Sequence, residues 1–465
     1  MMKKQSIAGA IIFLLAFLIP FNAKKFIYAF SPRVDEYSSV FLYLTDFFLL
    51  AVIILFFLFG GSIKYELRAL FGKILSVFVI LSFLSIFLAS EEGVAIYRAL
   101  RLTLYAGTVV TIPFFIRNGV IRFRLVCGAF ASSAILQSVI GFLQFLTGGS
   151  VGLRVLGESV ITPATTGVAR VFVNGEYFLR AYGTMPHANI LASFLVLGLL
   201  CLFYLLISNK KSETFDFLNW IAPLIGVFII LSGLAVTFSR SGWIVFFVTG
   251  LLLLFFGIMK REYRKNTFFV FSMFLAQIVA IGFILGWAIV PRAGFTVGEP
   301  SVNHRVLYNK IGMEIISQNP LGVGIGNEVS AGVKMGLYKQ EGFLNWRLWQ
   351  PVHNLYILIA SELGIFGLFV FLVAMVSLFF ERIKKSDGLS KFSVKNFVHY
   401  MNFDFLTAAI LAFSILLFGF FDHFMWDIPA GELMLWFSLS LVLASKENYT
   451  SALLRKDVGV VIQNV

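Results

Sequence analysis

Charge is scarce in this sequence. Asp, Glu, Lys and Arg make up 13% of its 465 residues, about half of the ~25% found in an ordinary soluble domain. No polar stretch reaches the length of a soluble domain, so a nucleotide-binding module on either side of a membrane is excluded. Cysteine is nearly missing: Cys127 and Cys201 both sit in apolar runs, which argues against a disulfide framework and against a thiolate metal site. Histidine is limited to five positions. The net charge of +13 does not mark a nucleic-acid binder, because most of the basic residues fall in short loops between apolar runs.

Hydrophobic residues, by contrast, are 59% of the chain. Apolar runs fall near 6–22, 38–59, 73–89, 98–116, 124–146, 187–208, 218–238, 242–258, 267–290, 353–380, 402–421 and 430–445. Each approaches the ~20 residues a helix needs to cross the hydrocarbon. Lipid leaves backbone groups without partners, so only helices or a closed barrel can span it, and these runs are too continuous for alternating strands. The expectation is one all-α polytopic membrane domain over residues 1–465 with about twelve transmembrane helices. The start, Lys3-Lys4 followed by an apolar run to Pro20, reads as an uncleaved first helix.

With both termini inside, the inner segments hold fourteen Lys and eight Arg, and the outer segments five Lys and ten Arg. The excess inside satisfies the positive-inside rule. The outward bias toward arginine asks for another cause, and a planar fork that grips phosphate or carboxylate is one. Two outer loops are long. One covers 147–186. The other covers 291–352 and contains a helix expected to start at an N-cap, Ser301, with Val302, Val306, Ile311 and Ile315 on its apolar face and Arg305 on another side.

Chemistry-bearing residues gather on that outer side. His353 lies in WQPVHNLYILIASELG, where the long loop meets the tenth span. Pro351 suits a first helical position, which would put His353 in the first turn, where the helix dipole disfavours imidazolium and leaves a general base. The bland alternative is an interfacial capping histidine. Arg180, Arg240 and Arg305 are each commonly snorkelling residues when alone, but together beside a histidine they would clamp an anion. Glu362, inside the tenth span, reads first as a partner to a neighbouring helix. Asp422, His423 and Asp427 at the outer end of the eleventh span read first as a polar hairpin, since they match no strong metal signature. His399 reads as a loop residue on the inner side.

These residues resemble the O-antigen ligase / O-antigen polymerase superfamily. The late motif stands as His353-Asn354-Leu355-Tyr356-Ile357, followed by Glu362, Gly364 and Gly367. Upstream come Arg305, then Asn319-Pro320-Leu321-Gly322 and Gly324-Ile325-Gly326-Asn327. Earlier still are Arg180, Gly183, Thr184, His187 and Asn189, and the turn Ser239-Arg240-Ser241-Gly242. The family often has Leu where this chain has Ile357.

The resemblance implies a glycosyltransferase C-type membrane fold with a large outer loop between helices nine and ten. It implies a cofactor-free, metal-independent, inverting transfer of a glycan from undecaprenyl-diphosphate to an acceptor hydroxyl. The acceptor would be lipid A-core, as in a ligase, or a glycan repeat or a protein, as in a polymerase or protein O-oligosaccharyltransferase. His353 would be the base and Arg180, Arg240 and Arg305 the diphosphate ligands, with Asn354, Tyr356, Glu362, His187 and Asn189 in support. The setting implied is the outer face of a bacterial cytoplasmic membrane. A secondary transporter or lipid flippase is the competing class, but it should show repeated halves and midplane charge.

Overall fold

The computed structural model describes residues 2–31, 35–162, 165, 167–209, 217–294, 300–384 and 401–445. Every one of the twelve apolar runs contains a helix. Seven of these helices are long and apolar enough to cross a membrane, and five are shorter. His399 and the basic residues Lys210, Lys211, Lys385, Lys391, Lys395, Lys446, Arg455 and Lys456 lie outside the described residues.

The chain opens with α1 (Met2–Leu18) and an antiparallel hairpin of β1 (Lys24–Ala29) with β2 (Ser39–Tyr43). The hairpin takes the first residues of the run expected at 38–59, so α2 (Leu44–Leu58) is shorter than that run. Tyr43 N–H donates to Asp46, which starts the helix there. After α3 (Ile63–Glu66) and α4 (Leu70–Leu84), the run at 98–116 is built from α5 (Glu92–Ala106) and α6 (Thr108–Arg117). Next come α7 (Phe123–Thr147), the hairpin β3 (Arg170–Val173) with β4 (Glu176–Leu179), and α8 (Ala188–Ile207). The helices α9 (Phe217–Val236), α10 (Arg240–Met259) and α11 (Arg264–Ala293) follow.

The late loop is mostly helical: α12 (Pro300–Gln318), α13 (Glu328–Lys334) and α14 (Leu337–Gln340). It leads into α15 (Leu355–Lys384). Then α16 (Phe403–Phe418), the single turn α17 (Phe424–Asp427) and α18 (Pro429–Ala444) complete the described chain.

Burial sorts these helices. The apolar window of α8 is 94% buried and that of α11 only 17%, so α8 is interior and α11 peripheral. A helix apolar on all sides can occupy either place, and packing decides. The helix α18 is also interior, against α6 and α16.

Two details differ from the sequence expectation. Ser301 is the second residue of α12, not its cap. The buried stripe of α12 is Tyr308, Ile311 and Ile315, while Val302 and Val306 are exposed. The helix turns its aromatic residue inward because Tyr308 has partners there, as described below.

The glycine-rich stretch after α12 has a structural cause. Val323 N–H donates to Ser361 O and Gly324 N–H to Glu362 O, each at 3.0 Å. Ile365 N–H in turn donates to Pro320 O. The stretch therefore pairs, strand-like, with α15 where that helix is unwound at Gly364 (φ 76°, ψ 173°). A Cβ on Gly322 would lie 2.4 Å from Glu362 O, and one on Gly364 2.6 Å from Leu321 C. Both glycines also have positive φ. Backbone meets backbone here, so neither position has room for a side chain.

Candidate active site at one end of the bundle

Four chain segments meet at one end of the helices. They are the loop before α8, the turn between α9 and α10, the loop before α15, and the turn between α16 and α18, and the first half of α12 lies against them. Side chains that cap these helices also shape the site. His187 Nδ1 accepts from Asn189 N–H at the start of α8. Ser239 Oγ accepts from Gly242 N–H at the start of α10. Asn354 Oδ1 accepts from the N–H groups of Tyr356 and Ile357 at the start of α15.

The last of these corrects the sequence reading. Asn354 is the cap, Pro351 lies outside α15, and His353 precedes the helix instead of sitting in its first turn. Its ring lies in a sandwich. It stacks on Tyr308 at 5.2 Å with the planes 12° apart, and Tyr308 stacks on Phe343 at 4.8 Å. Tyr308 is itself fixed by a hydrogen bond from its hydroxyl to Leu348 O at 2.7 Å. His353 Nδ1 lies 3.0 Å from Pro351 O. A carbonyl only accepts, so Nδ1 carries the proton and Nε2 keeps its lone pair.

Asp422 joins the segments. Asn189 Nδ2 donates to its Oδ2 at 2.8 Å, and Arg305 Nη2 lies 3.4 Å from the same oxygen. The other side of Asn189 accepts from Arg180 Nη2 at 2.6 Å and from Ser239 Oγ at 3.1 Å. Arg180 Nε donates to Thr237 O at 2.7 Å. A chain of polar contacts thus runs Thr237–Arg180–Asn189–Asp422–Arg305. His423 presents its ring edge to His353 at 4.9 Å, and its Nδ1 lies 2.7 Å from Asp427. The polar hairpin inferred from sequence is therefore part of this cluster.

The charges bias one another. Burial first, then the charges of His423 and Arg305, hold His353 down to about 3. Burial and then Arg180 do the same to His187, also about 3. Burial alone would raise Asp422, but His353, Arg305 and His423 more than offset it and hold the carboxyl well below its usual range. Burial opposes charge on His423, yet Asp427 and Asp422 raise it above its ordinary value. Arg180 is held down to about 9, by burial first and Arg292 next, and stays protonated at neutral pH.

A pH dependence follows. An unfolded histidine takes its proton near 6.5 and folded His187 and His353 only near 3. The unfolded chain therefore binds more protons between these values, and stability present above 6.5 is lost as pH falls through the window. Asp422, depressed from 3.8, acts only below that value. His423 acts oppositely, losing its contribution as pH rises through its elevated value. On acidification from pH 7 to pH 4, the melting temperature of detergent-solubilised His187→Asn is expected to fall less, or rise more, than that of the wild type, because the His187 share of the loss is gone; identical pH dependences would contradict the assignment.

The remaining expected residues sort clearly. Tyr356 donates from its hydroxyl to Leu416 O at 2.7 Å and holds α15 to α16. Glu362 accepts from Trp426 Nε1 at 2.7 Å, below the site. Arg240 donates from Nη1 to Gly294 O at 3.1 Å. Two contributors were missed in the sequence, Arg292 and Tyr308. Arg292 was one more outward arginine, and Tyr308 lay between Val306 and Ile311 without being counted in the apolar stripe. Their signals exist only after folding.

Donor atoms of His353, Asp422 and His423 lie within 4.8 Å of one another, close enough to hold a metal ion. Asp422 is already engaged by Asn189 and Arg305, and His423 by Asp427. Guanidinium groups beside them repel a divalent cation and attract an anion. Chemically, the cluster offers a neutral imidazole with one free nitrogen, fixed carboxylates, and arginines placed to receive a dianion.

Residues 225–372 match a family model described as O-antigen ligase. No curated protein matches the chain. The matched segment contributes Ser239, Arg292, Arg305, Tyr308 and His353 to the site. Arg180, His187, Asn189, Asp422, His423 and Asp427 come from outside it.

Proposed function

We propose, on the match of residues 225–372 to a family model described as O-antigen ligase, that the chain belongs to that superfamily and transfers a glycan from undecaprenyl-diphosphate to an acceptor hydroxyl, with lipid A-core as acceptor. The twelve apolar helices are read as spans, with both termini in the cytoplasm. The segments 147–186 and 291–352 and the site then face the outer leaflet of a bacterial cytoplasmic membrane. One observation carries the reading: a neutral, sterically fixed His353 beside guanidinium groups that are tied to one another through Asn189 and Asp422.

The chemistry needs few parts. The donor's diphosphate binds Arg180, Arg240 and Arg305, with Arg292 adding charge nearby. His353 Nε2 takes the proton of the acceptor hydroxyl as its oxygen bonds to the anomeric carbon. The bond from that carbon to the phosphate oxygen breaks, and the guanidinium groups neutralise the charge that appears there. Attack opposite the leaving group inverts the anomeric configuration. A base held down to about 3 is weak in the resting site. Bound diphosphate offsets Arg305, one of the charges that depress it, so the donor itself raises the basicity of His353 while burial still holds it below its ordinary value. Asp422 then stabilises the imidazolium that forms. Binding and activation of the base are therefore coupled.

The polar groups gather at one end of the helices, where a lipid headgroup would sit. That arrangement favours an enzyme over a transporter, which needs charge at the membrane midplane.

Complementation tests the proposal. The chain is expressed in a Gram-negative strain that makes lipid-linked O-antigen and lacks its own ligase. A restored lipopolysaccharide ladder is the expected result. Donor turnover without a ladder would move the acceptor to a glycan repeat or a protein. Failure to consume any undecaprenyl-diphosphate-linked glycan would overturn the proposal.

A further inference from the structure

Behind His423 and Asp427 lies a narrow cavity of about 10 Å³, room for one water molecule. Its ionisable lining is unusual. Glu328 of α13, Glu362 of α15, Asp427 of α17 and Glu432 of α18 all face it, together with Arg98 of α5 and Tyr37. Glu328 is 1% exposed and neither of its carboxyl oxygens has a hydrogen-bond partner. The Val352 N–H faces that carboxyl and favours its charged form, against the burial that raises it. Glu432 is 3% exposed, and its Oε2 is also unpartnered. Arg98 cannot serve them all: its Nη1 is held by Asp427 O at 2.7 Å and its Nη2 by Glu36 O.

Charge counting decides the protonation. Four carboxyls face the guanidinium of Arg98 and the imidazole of His423; Arg101, which also acts on Glu432, is already balanced by its ion pair with Asp46. Uncompensated carboxylates in a dry interior are too unstable to persist, so they take protons instead. Balance leaves two protons on the cluster at neutral pH. Burial pushes Glu328 well above the usual carboxyl range, with Glu362 and Asp427 adding to it. A protonated carboxyl with no protein partner needs a small polar molecule, and the cavity admits one.

We propose that this cavity is a proton store for the transfer site: one water and the carboxyls of Glu328, Glu362, Asp427 and Glu432 share protons and exchange them with the site through Asp427 and His423. Asp427 has the right position for this, with His423 Nδ1 at 2.7 Å on one side and the cavity on the other. This use of the store rests on the proposed transfer reaction. The hydroxyl proton passes to His353. As His353 becomes charged, the His423 imidazolium gives its Nδ1 proton to Asp427 and is left neutral, so the two facing rings are not both cationic. The cavity then holds one more proton, which returns to His423 Nδ1 when His353 releases its own to the leaving diphosphate or to solvent.

Infrared spectroscopy of the full chain in lipid nanodiscs tests the store without any substrate. Protonated carboxyl C=O bands are expected at pH 7, shifting in D2O and disappearing only at alkaline pH. Glu328→Gln and Glu432→Gln should each remove about one carboxyl's intensity. Absence of the bands in wild type at pH 7, or full intensity in both variants, would overturn the store. With a glycan donor, Glu328→Gln should lower kcat several-fold, leave the donor KM unchanged and shift the pH profile. An unchanged profile would overturn the exchange with the site. Bands present in a chain that transfers no glycan would reject the transferase reading and leave the store standing.

Discussion

Replacing His353 with alanine is expected to lower the transfer rate by roughly two to four orders of magnitude, the usual contribution of a positioned general base. Donor KM should change little, since the diphosphate is held by the arginines. The argument rests on position. Nδ1 is committed to Pro351 O at 3.0 Å, and the ring is clamped on Tyr308 at 5.2 Å. Nε2 is the nitrogen left to accept a proton, and it cannot swing away. Initial rates in proteoliposomes at saturating donor, with equal protein levels confirmed, check this. A variant retaining more than a tenth of wild-type rate would remove His353 from the role of base.

Arg180→Lys is expected to lose about a hundredfold in kcat/KM, close to the loss for Arg180→Ala and typical of one deleted charge-stabilising donor. A lysine keeps the charge but not the fork. Arg180 uses Nε on Thr237 O and Nη2 on Asn189 Oδ1, so it fixes the residue that in turn grips Asp422. One ammonium cannot bridge both carbonyl oxygens. Arg305 provides the contrast. Its side chain is 35% exposed and its contact with Asp422 is a longer 3.4 Å, so Arg305→Lys should retain more activity than Arg180→Lys. Full activity of Arg180→Lys would show that point charge suffices and would sink the idea of a bidentate clamp.

Much of the site was legible before folding, though not for the reasons first available. His353 stood out by its place between a long loop and an apolar run. Its helix-dipole rationale fails, because Asn354 starts the helix and burial, not the dipole, depresses the imidazole. Asp422 and His423 were visible as a polar group but had no assigned partner. The contact of Asp422 with Asn189 spans 233 positions and that with Arg305 spans 117, and no local pattern encodes such separations. Glu328 was not singled out in the sequence. It is buried because the glycine-rich stretch before it threads into the unwound turn of α15.

Taken alone, the sequence determined the class of molecule. Long apolar runs must hydrogen-bond their own backbone in lipid, so they form helices wherever the fold places them. It also determined which short motifs carry reactive residues. Tertiary structure decided which helices are interior, since α8 and α11 are comparably apolar and only packing separates them. It decided the long-range alliances too: Asn189 with Asp422, 233 positions apart, and Arg305 with Asp422, 117 apart. Charge in a low-dielectric interior is stable only beside its partner, and a partner hundreds of residues away is fixed by how the helices pack.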